Sequence, residues 1–248
     1  MKALFLDIDG VIQLGTDYRH DHSVEEIEAL CGRLTKEMGN GFDYRKWAGD
    51  TASNPFWTVA AVYWDWNQEA IGELKRVLDT TGAQIVLSSS WRSFGHEAMT
   101  ALFRIHGLDG YYWEDTEGSE GAGARNGVPV SRGQEACYED MKRWFRSAYK
   151  DGYVWERAVE IREFLDRHPE VTAYAVVDDM DLAAGLEGHF VESVHYRLDE
   201  AVADALIEVL KKEDGPYPLP DAVKALPSFI AMRDVMAKYP KQTRSRWS

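Results

Sequence analysis

Cysteine is scarce in this chain: Cys31 and Cys137 are the only two, far apart and outside any spaced cluster. That excludes a disulfide framework and a cysteine-based zinc site, and it fits a reducing compartment. Basic residues are also in short supply. Lys and Arg number 28 against 42 Asp and Glu, for a formal charge of −14. A surface of that sign repels polyanions, so wide contact with nucleic acid is disfavoured, although one metal site can invert the potential locally and admit a small anion. No apolar run reaches membrane-spanning length, and the chain opens without a basic region, apolar signal segment or cleavage site. The expectation is a cytoplasmic protein with no membrane partner. Repeats and low-complexity blocks are missing too. The 248 residues suit one sizeable domain with insertions or a core with a small cap. Composition leaves the oligomeric state open.

Against that background the opening segment LFLDIDG (residues 4–10) is informative. Its apolar run reads as a buried strand that ends in two aspartates one residue apart, and strand alternation puts Asp7 and Asp9 on the same side. Like charges so placed raise one another's pKa, and desolvation adds to the effect unless a cation or a shared proton intervenes. The pair calls for a metal. Two further apolar runs end in polar groups: AQIVLSSS, which stops at Ser88, Ser89 and Ser90, and VTAYAVVDDMD, which stops at Asp178, Asp179 and Asp181.

Helical patterns lie between these strands. Ser23 and Glu26 form a capping-box signature before a helix that runs to about Met38. Helical spacing recurs in NQEAIGELKRVLDTTG, HEAMTALFRIHGL, QEACYEDMKRWFRSAY, ERAVEIREFLDRHPE and LDEAVADALIEVLKKEDG, and YYWED reads as a short strand. Residues 39–67 are aromatic, and their Gly, Asn and Pro punctuation argues against continuous regular structure. Residues 116–133 form a glycine-rich loop too long for an ordinary connection. The predicted fold is therefore α/β: a parallel, Rossmann-like sheet with helices on both faces and helical or irregular cap insertions. The core spans residues 1–215, with insertions at about 13–67 and 111–152, and residues 216–248 form a proline-rich, finally basic tail of a kind often poorly ordered. In open parallel sheets ligands bind beyond the carboxyl ends of the strands, so the three polar endings meet in one crevice if their strands are neighbours.

In their order, LFLDIDGV, IVLSSSWR and VVDDMD resemble the motifs of the haloacid dehalogenase superfamily of aspartate-nucleophile phosphohydrolases. Within it, LSSSWR, ERAVEIREFL and the VDD strand look most like the phosphatase domains associated with RNA-repair proteins, and they are also similar to deoxyribonucleotidases. The resemblance implies a phosphatase whose nucleophile is Asp7 and whose general acid and base is Asp9. It implies Mg²⁺ held by Asp7, the backbone carbonyl of Asp9 and Asp178, with Asp179 a further ligand through water, and Asp181 orienting the loop. Gly10 would turn the backbone towards the phosphate, and either Ser88 or Ser89 would bind it. A cation is expected beside it, with Arg157 the first choice and Lys142 and Arg162 its rivals; the superfamily more often uses lysine there. The expected substrate is a small phosphorylated compound or nucleotide. A nucleic-acid end is the alternative, against the net charge, as is a binding protein that keeps the fold without the chemistry.

Each feature also has a plainer reading. An isolated DxD is common on surfaces, serines can end a strand by bonding its backbone, VVDDMD can be a solvated turn, and Arg157 can be a helix ion pair. In FWTVAAVYWDW, Trp64 and Trp66 suit packing more readily than stacking on a substrate base. His20 and His22 lack the spacing of metal ligands and read as surface or loop residues.

Overall fold

The computed structural model describes residues 1–13, 22–39, 42, 55–116, 132–148, 156–195 and 197–238. Its strands are β1 (Lys2–Leu6), β2 (Gln84–Leu87), β3 (Tyr112–Asp115), β4 (Ala173–Asp178) and β5 (Phe190–Glu192). They form one parallel sheet in the order β3-β2-β1-β4-β5. The helices are α1 (Val24–Met38), α2 (Pro55–Asp65), α3 (Gln68–Thr81), α4 (His96–Arg104), α5 (Arg132–Ala148), α6 (Glu156–Arg167), α7 (Glu200–Leu210), α8 (Asp221–Lys224) and α9 (Pro227–Lys238).

Both faces of the sheet are covered, which is why the strands read as continuous apolar runs. Leu4, Leu6, Ile85, Leu87, Ala175 and Val177 point into one core with α1, α2, α3, α4 and α7. Ala3, Phe5, Val86, Tyr174 and Val176 point into the other with α5, α6, α8 and α9. The chain winds from β1 outwards to β2 and β3, then crosses the opposite face by α5 and α6 to reach β4 on the other side of β1. That reversal puts the ends of β2, β1 and β4 side by side, at the topological switch point where such sheets bind ligands.

Several expectations change. Residues 55–65 are helical, because Pro55 stands at the first helical position, where a missing N–H costs nothing and a fixed φ favours the turn. The helices within the two expected insertions are layers of the domain itself: Ile27, Leu30, Val59 and Val62 join the sheet's first core, and Cys137, Met141 and Phe145 its second. The stretches between them, residues 43–54, 117–131 and 149–155, lie outside the described residues, as does His20. Residues 217–232 are built into the fold. Leu219, Val223, Phe229 and Met232 are buried, and Asp166 of α6 anchors them. It accepts from the Leu219 amide at 2.9 Å and pairs with Arg233 and Lys224, each at 2.7 Å. β5 had no periodic signal, being three partly exposed residues at the sheet edge.

A 3-10 turn, Ser90–Phe94, leaves the end of β2 and ties it to α6. Arg92 forks onto Glu160, with Nη2 donating to Oε1 at 3.3 Å and Nη1 lying 3.2 Å from Oε2; both side chains are about as buried as the core. Breaking such a pair strands a charge in the interior, at about 3–5 kcal/mol, whereas replacing both partners by apolar groups is often nearly neutral. Arg92→Met should therefore lower the unfolding free energy in denaturant titration by about that amount, and adding Glu160→Met should recover part of the loss. Simple addition of the two single losses would show that the side chains do not act as a pair.

Candidate active site

The backbone ladder continues one residue beyond the strands and locks the site in place. The Asp7 amide donates to Val177 O at 3.0 Å, Ser88 to Leu6 O at 2.9 Å and Ser193 to Asp178 O at 2.9 Å. Asp7 and Asp178 are buried and Asp179 is half-buried. A carboxylate oxygen from each lies within 4.8 Å of the others. Arg157, in the first turn of α6, reaches this cluster: Nη1 donates to Asp178 Oδ2 and lies 3.4 Å from Asp7 Oδ2. Asp178 Oδ1 accepts from the Met180 amide at 2.9 Å. Asp7 Oδ1 is buried and has no hydrogen-bond partner among the described residues.

The electrostatics follow from that geometry. Burial is the largest influence on Asp7 and pushes its pKa up to about 7; Arg157 opposes the shift, Asp178 adds to it, and a Ser89 hydrogen bond opposes it again. Asp178 is raised as well, by burial first, against the pull of Arg157. The Arg157 guanidinium is itself desolvated, yet the two carboxylates hold its proton more firmly than usual.

Asp9 goes elsewhere. The Asp9 carboxylate is not part of that cluster, although Ile8 packs in the same core as Leu4 and Leu6, as strand alternation expects. The carboxylate that presses on Asp7 is Asp178. Asp9 is exposed, its Oδ1 accepting from Trp91 Nε1 at 3.1 Å and its Oδ2 from Ser90 Oγ at 3.3 Å. Gly10 follows with φ +71°, in the left-handed region, and its amide donates to Gln13 O at 2.9 Å. That amide is committed within the turn. What the glycine supplies is room, since a Cβ there would lie 2.6 Å from Asp179 Cγ and Oδ2. Ser193 Oγ fixes the same turn by donating to Gly10 O at 2.9 Å.

Ser88 and Ser89 are both buried. Ser89 lies close enough to Asp7 to oppose the rise of its pKa, and its hydroxyl accepts weakly from the Trp91 amide at 3.5 Å, whereas Ser88 Oγ has no partner among the described residues. Of the three candidate cations, Arg157 alone is seen on the aspartates. Lys142 pairs with Glu139 at 2.8 Å, and Arg162 lies by Tyr174, near the opposite end of β4, where it lowers the pKa of the phenol against the rise caused by burial. Asp181 Oδ1 accepts from the Ala183 amide at 3.0 Å and so shapes the loop after β4. Trp66 is buried among Trp91, Phe103 and His106, a packing residue. Trp64 stacks on His22 at 3.7 Å. Sequence reasoning passed over Trp91, which stands directly after the serines, and Ser193, which no pattern marks.

Three carboxylates without nitrogen or sulfur donors, one offering a buried unpartnered oxygen, suit a hard divalent cation. Because the folded pKa of Asp7 lies above its unfolded value of 3.8, its contribution to stability is fully present below that value and is lost as pH rises towards 7. Without divalent metal, the stability of the wild type relative to Asp7→Asn should fall between about pH 4 and 7. Added Mg²⁺ should raise the wild-type melting temperature more at about pH 7.5 than at about pH 5. Thermal unfolding across pH tests this, and a relative stability that climbs over the window would contradict the assignment.

A family model described as the HAD domain in Swiss Army Knife RNA repair proteins matches residues 3–197, which hold four strands whole, all of β1 but its first residue, and Asp7, Asp9, Ser88, Ser89, Arg157, Asp178 and Asp179. No curated protein and no solved structure matches the chain. By that family match the chain belongs to the haloacid dehalogenase domain family of Swiss Army Knife RNA repair proteins, a family of the phosphatase type.

Proposed function

We propose that this domain is a magnesium-dependent phosphomonoester hydrolase that works through an aspartyl phosphate on Asp7. The observation that carries the reading is the buried cluster of Asp7, Asp178 and Asp179 bridged by Arg157, with Asp9 held apart on the β2 side. Asp7, Asp178, Asp179 and the Asp9 carbonyl would hold the ion. When bound, it neutralises the carboxylates and draws charge from the phosphoryl oxygens.

The chain's own groups do the rest. Asp7 attacks phosphorus; as a carboxylate it needs no base to activate it, only its proton removed, and Arg157 favours that. The Arg157 guanidinium, close to both acids, also balances the charge of the transferring group, as electrostatic clamps on phosphoryl oxygens do. Ser89, which lies close enough to Asp7 to lower its pKa, is the hydroxyl best placed to receive a phosphate oxygen. Asp9 lies outside the carboxylate cluster, in solvent contact, where it can protonate the leaving oxygen and later take a proton from water.

The substrate is a small phosphorylated metabolite or a nucleotide. A terminal phosphate of a nucleic acid is the second reading, and the RNA-repair family of the match favours it. The charge of −14 opposes long backbone contacts, not the capture of one end. Phosphate release with Mg²⁺ from nucleotides, sugar phosphates and short phosphorylated oligonucleotides separates the two.

Asp7→Asn should lower turnover by about 10³-fold or more while the fold is retained, because the amide keeps the shape and loses the nucleophile. Near-wild-type turnover would end the proposal. Asp9→Asn should lose about 10²- to 10⁴-fold on alkyl phosphates and much less on an aryl phosphate whose leaving group needs little protonation. Equal rates for this variant and the wild type on alkyl phosphates would remove Asp9 from the acid role.

A further inference from the structure

We infer that Trp91, with Ser90, is a positioning residue that decides which oxygen of Asp9 carries the transferable proton; the inference rests on the acid–base role proposed for Asp9. Asp9 is exposed and belongs to a turn, so nothing in its own burial fixes the carboxyl rotation. Two contacts do. The indole Nε1 holds Oδ1 at 3.1 Å and the Ser90 hydroxyl holds Oδ2 at 3.3 Å. The indole is itself wedged: its ring centroid lies 5.8 Å from that of buried Trp66 and 5.6 Å from that of Phe94, and its residue is the second of a turn capped by Ser89.

The two donors differ in kind. An indole N–H only donates, so Oδ1 is an acceptor whether Asp9 is charged or neutral. A hydroxyl does both. Ser90 donates to the carboxylate and, by rotating its own hydrogen, accepts from the carboxylic acid. The proton of neutral Asp9 therefore sits on Oδ2, beside Ser90, and the carboxyl need not turn between its two tasks. In the first step the Asp7–phosphorus bond forms as the phosphorus–oxygen ester bond breaks, and the Oδ2 proton passes to the departing oxygen. In the second, water adds to phosphorus and gives its proton back to Oδ2. The Asp7–phosphorus bond then breaks, and inorganic phosphate leaves. Without the indole donor the exposed carboxyl rotates freely and its proton divides between two oxygens, so the aligned arrangement is populated less often.

The test compares the wild type, Trp91→Phe and Asp9→Asn with Mg²⁺ on two probes, an alkyl phosphomonoester and para-nitrophenyl phosphate. Trp91→Phe keeps a ring against Trp66 and removes the donor. It should lower kcat on the alkyl ester by about 10-fold, change kcat on the aryl ester by less than about 2-fold and leave both KM values unchanged. A merely structural role would reduce both esters alike. No loss, or equal loss on both, while Asp9→Asn still distinguishes the esters, overturns the role of Trp91 and leaves the acid assignment intact. An Asp9→Asn variant that fails to distinguish them overturns both. If Trp91→Phe does not fold, Ser90→Ala at its exposed position carries the same comparison: a loss confined to the alkyl ester supports the inference, and equal or absent loss refutes it.

Discussion

The arrangement depends on one guanidinium. Asp7 and Asp178 end adjacent parallel strands, both buried, and both resist ionisation because burial penalises their charge. Arg157 lies against the pair and lets negative charge exist there. It bonds one Asp178 oxygen and approaches one of Asp7, while the other Asp7 oxygen has no partner among the described residues. A site whose charges were fully satisfied would have little to offer a cation or a phosphate. This one keeps an Asp7 oxygen without a partner among the described residues, as the proposed phosphoryl transfer would require.

The helix carrying Arg157 has to be held, and the short turn after β2 does that while serving the other half of the chemistry. Arg92 of this turn grips Glu160, one helical turn beyond Arg157. Ser90 and Trp91 of the same turn grip Asp9. Five residues thus link the proposed acid on the β2 side to the cation on the β4 side through buried or ring-packed contacts. On the far side, Gly10 lets Asp179 pack against the turn after β1, and Ser193 pins that turn from the end of β5. Asp9 and Asp179 therefore both contact these few residues, and a displacement of that turn would disturb the proposed acid and the candidate metal ligands together.

Much of the fold was legible in advance. The apolar runs of β1, β2 and β4 stood out because both of their faces are buried, α1 was marked by its capping box of Ser23 and Glu26, and α3 by its helical apolar spacing. The parts that escaped did so for local reasons. Pro55 opens α2 instead of ending a segment, β5 is too short to show a period, and the chain after Pro216 is ordered by Asp166, a residue about fifty positions away.

For the site, the sequence alone determined the chemical inventory: carboxylates at Asp7, Asp9, Asp178 and Asp179 and hydroxyls at Ser88 to Ser90, placed at strand ends by periodicity, with three candidate cations on helices implied by the family resemblance. It also determined that these ends face one crevice, once the sheet is parallel and the strands adjacent. Tertiary structure decided the pairings. It set the Asp9 carboxylate against Trp91 and Ser90, and it chose Arg157 over Lys142 and Arg162 as the partner of the buried acids. The physical reason is that residue type and spacing are properties of the chain, whereas the direction of a side chain beyond a strand end depends on where the ladder stops and on what packs across it. Arg157 and Asp178 are 21 residues apart and Trp91 and Asp9 are 82, and no local pattern records a contact at such distances.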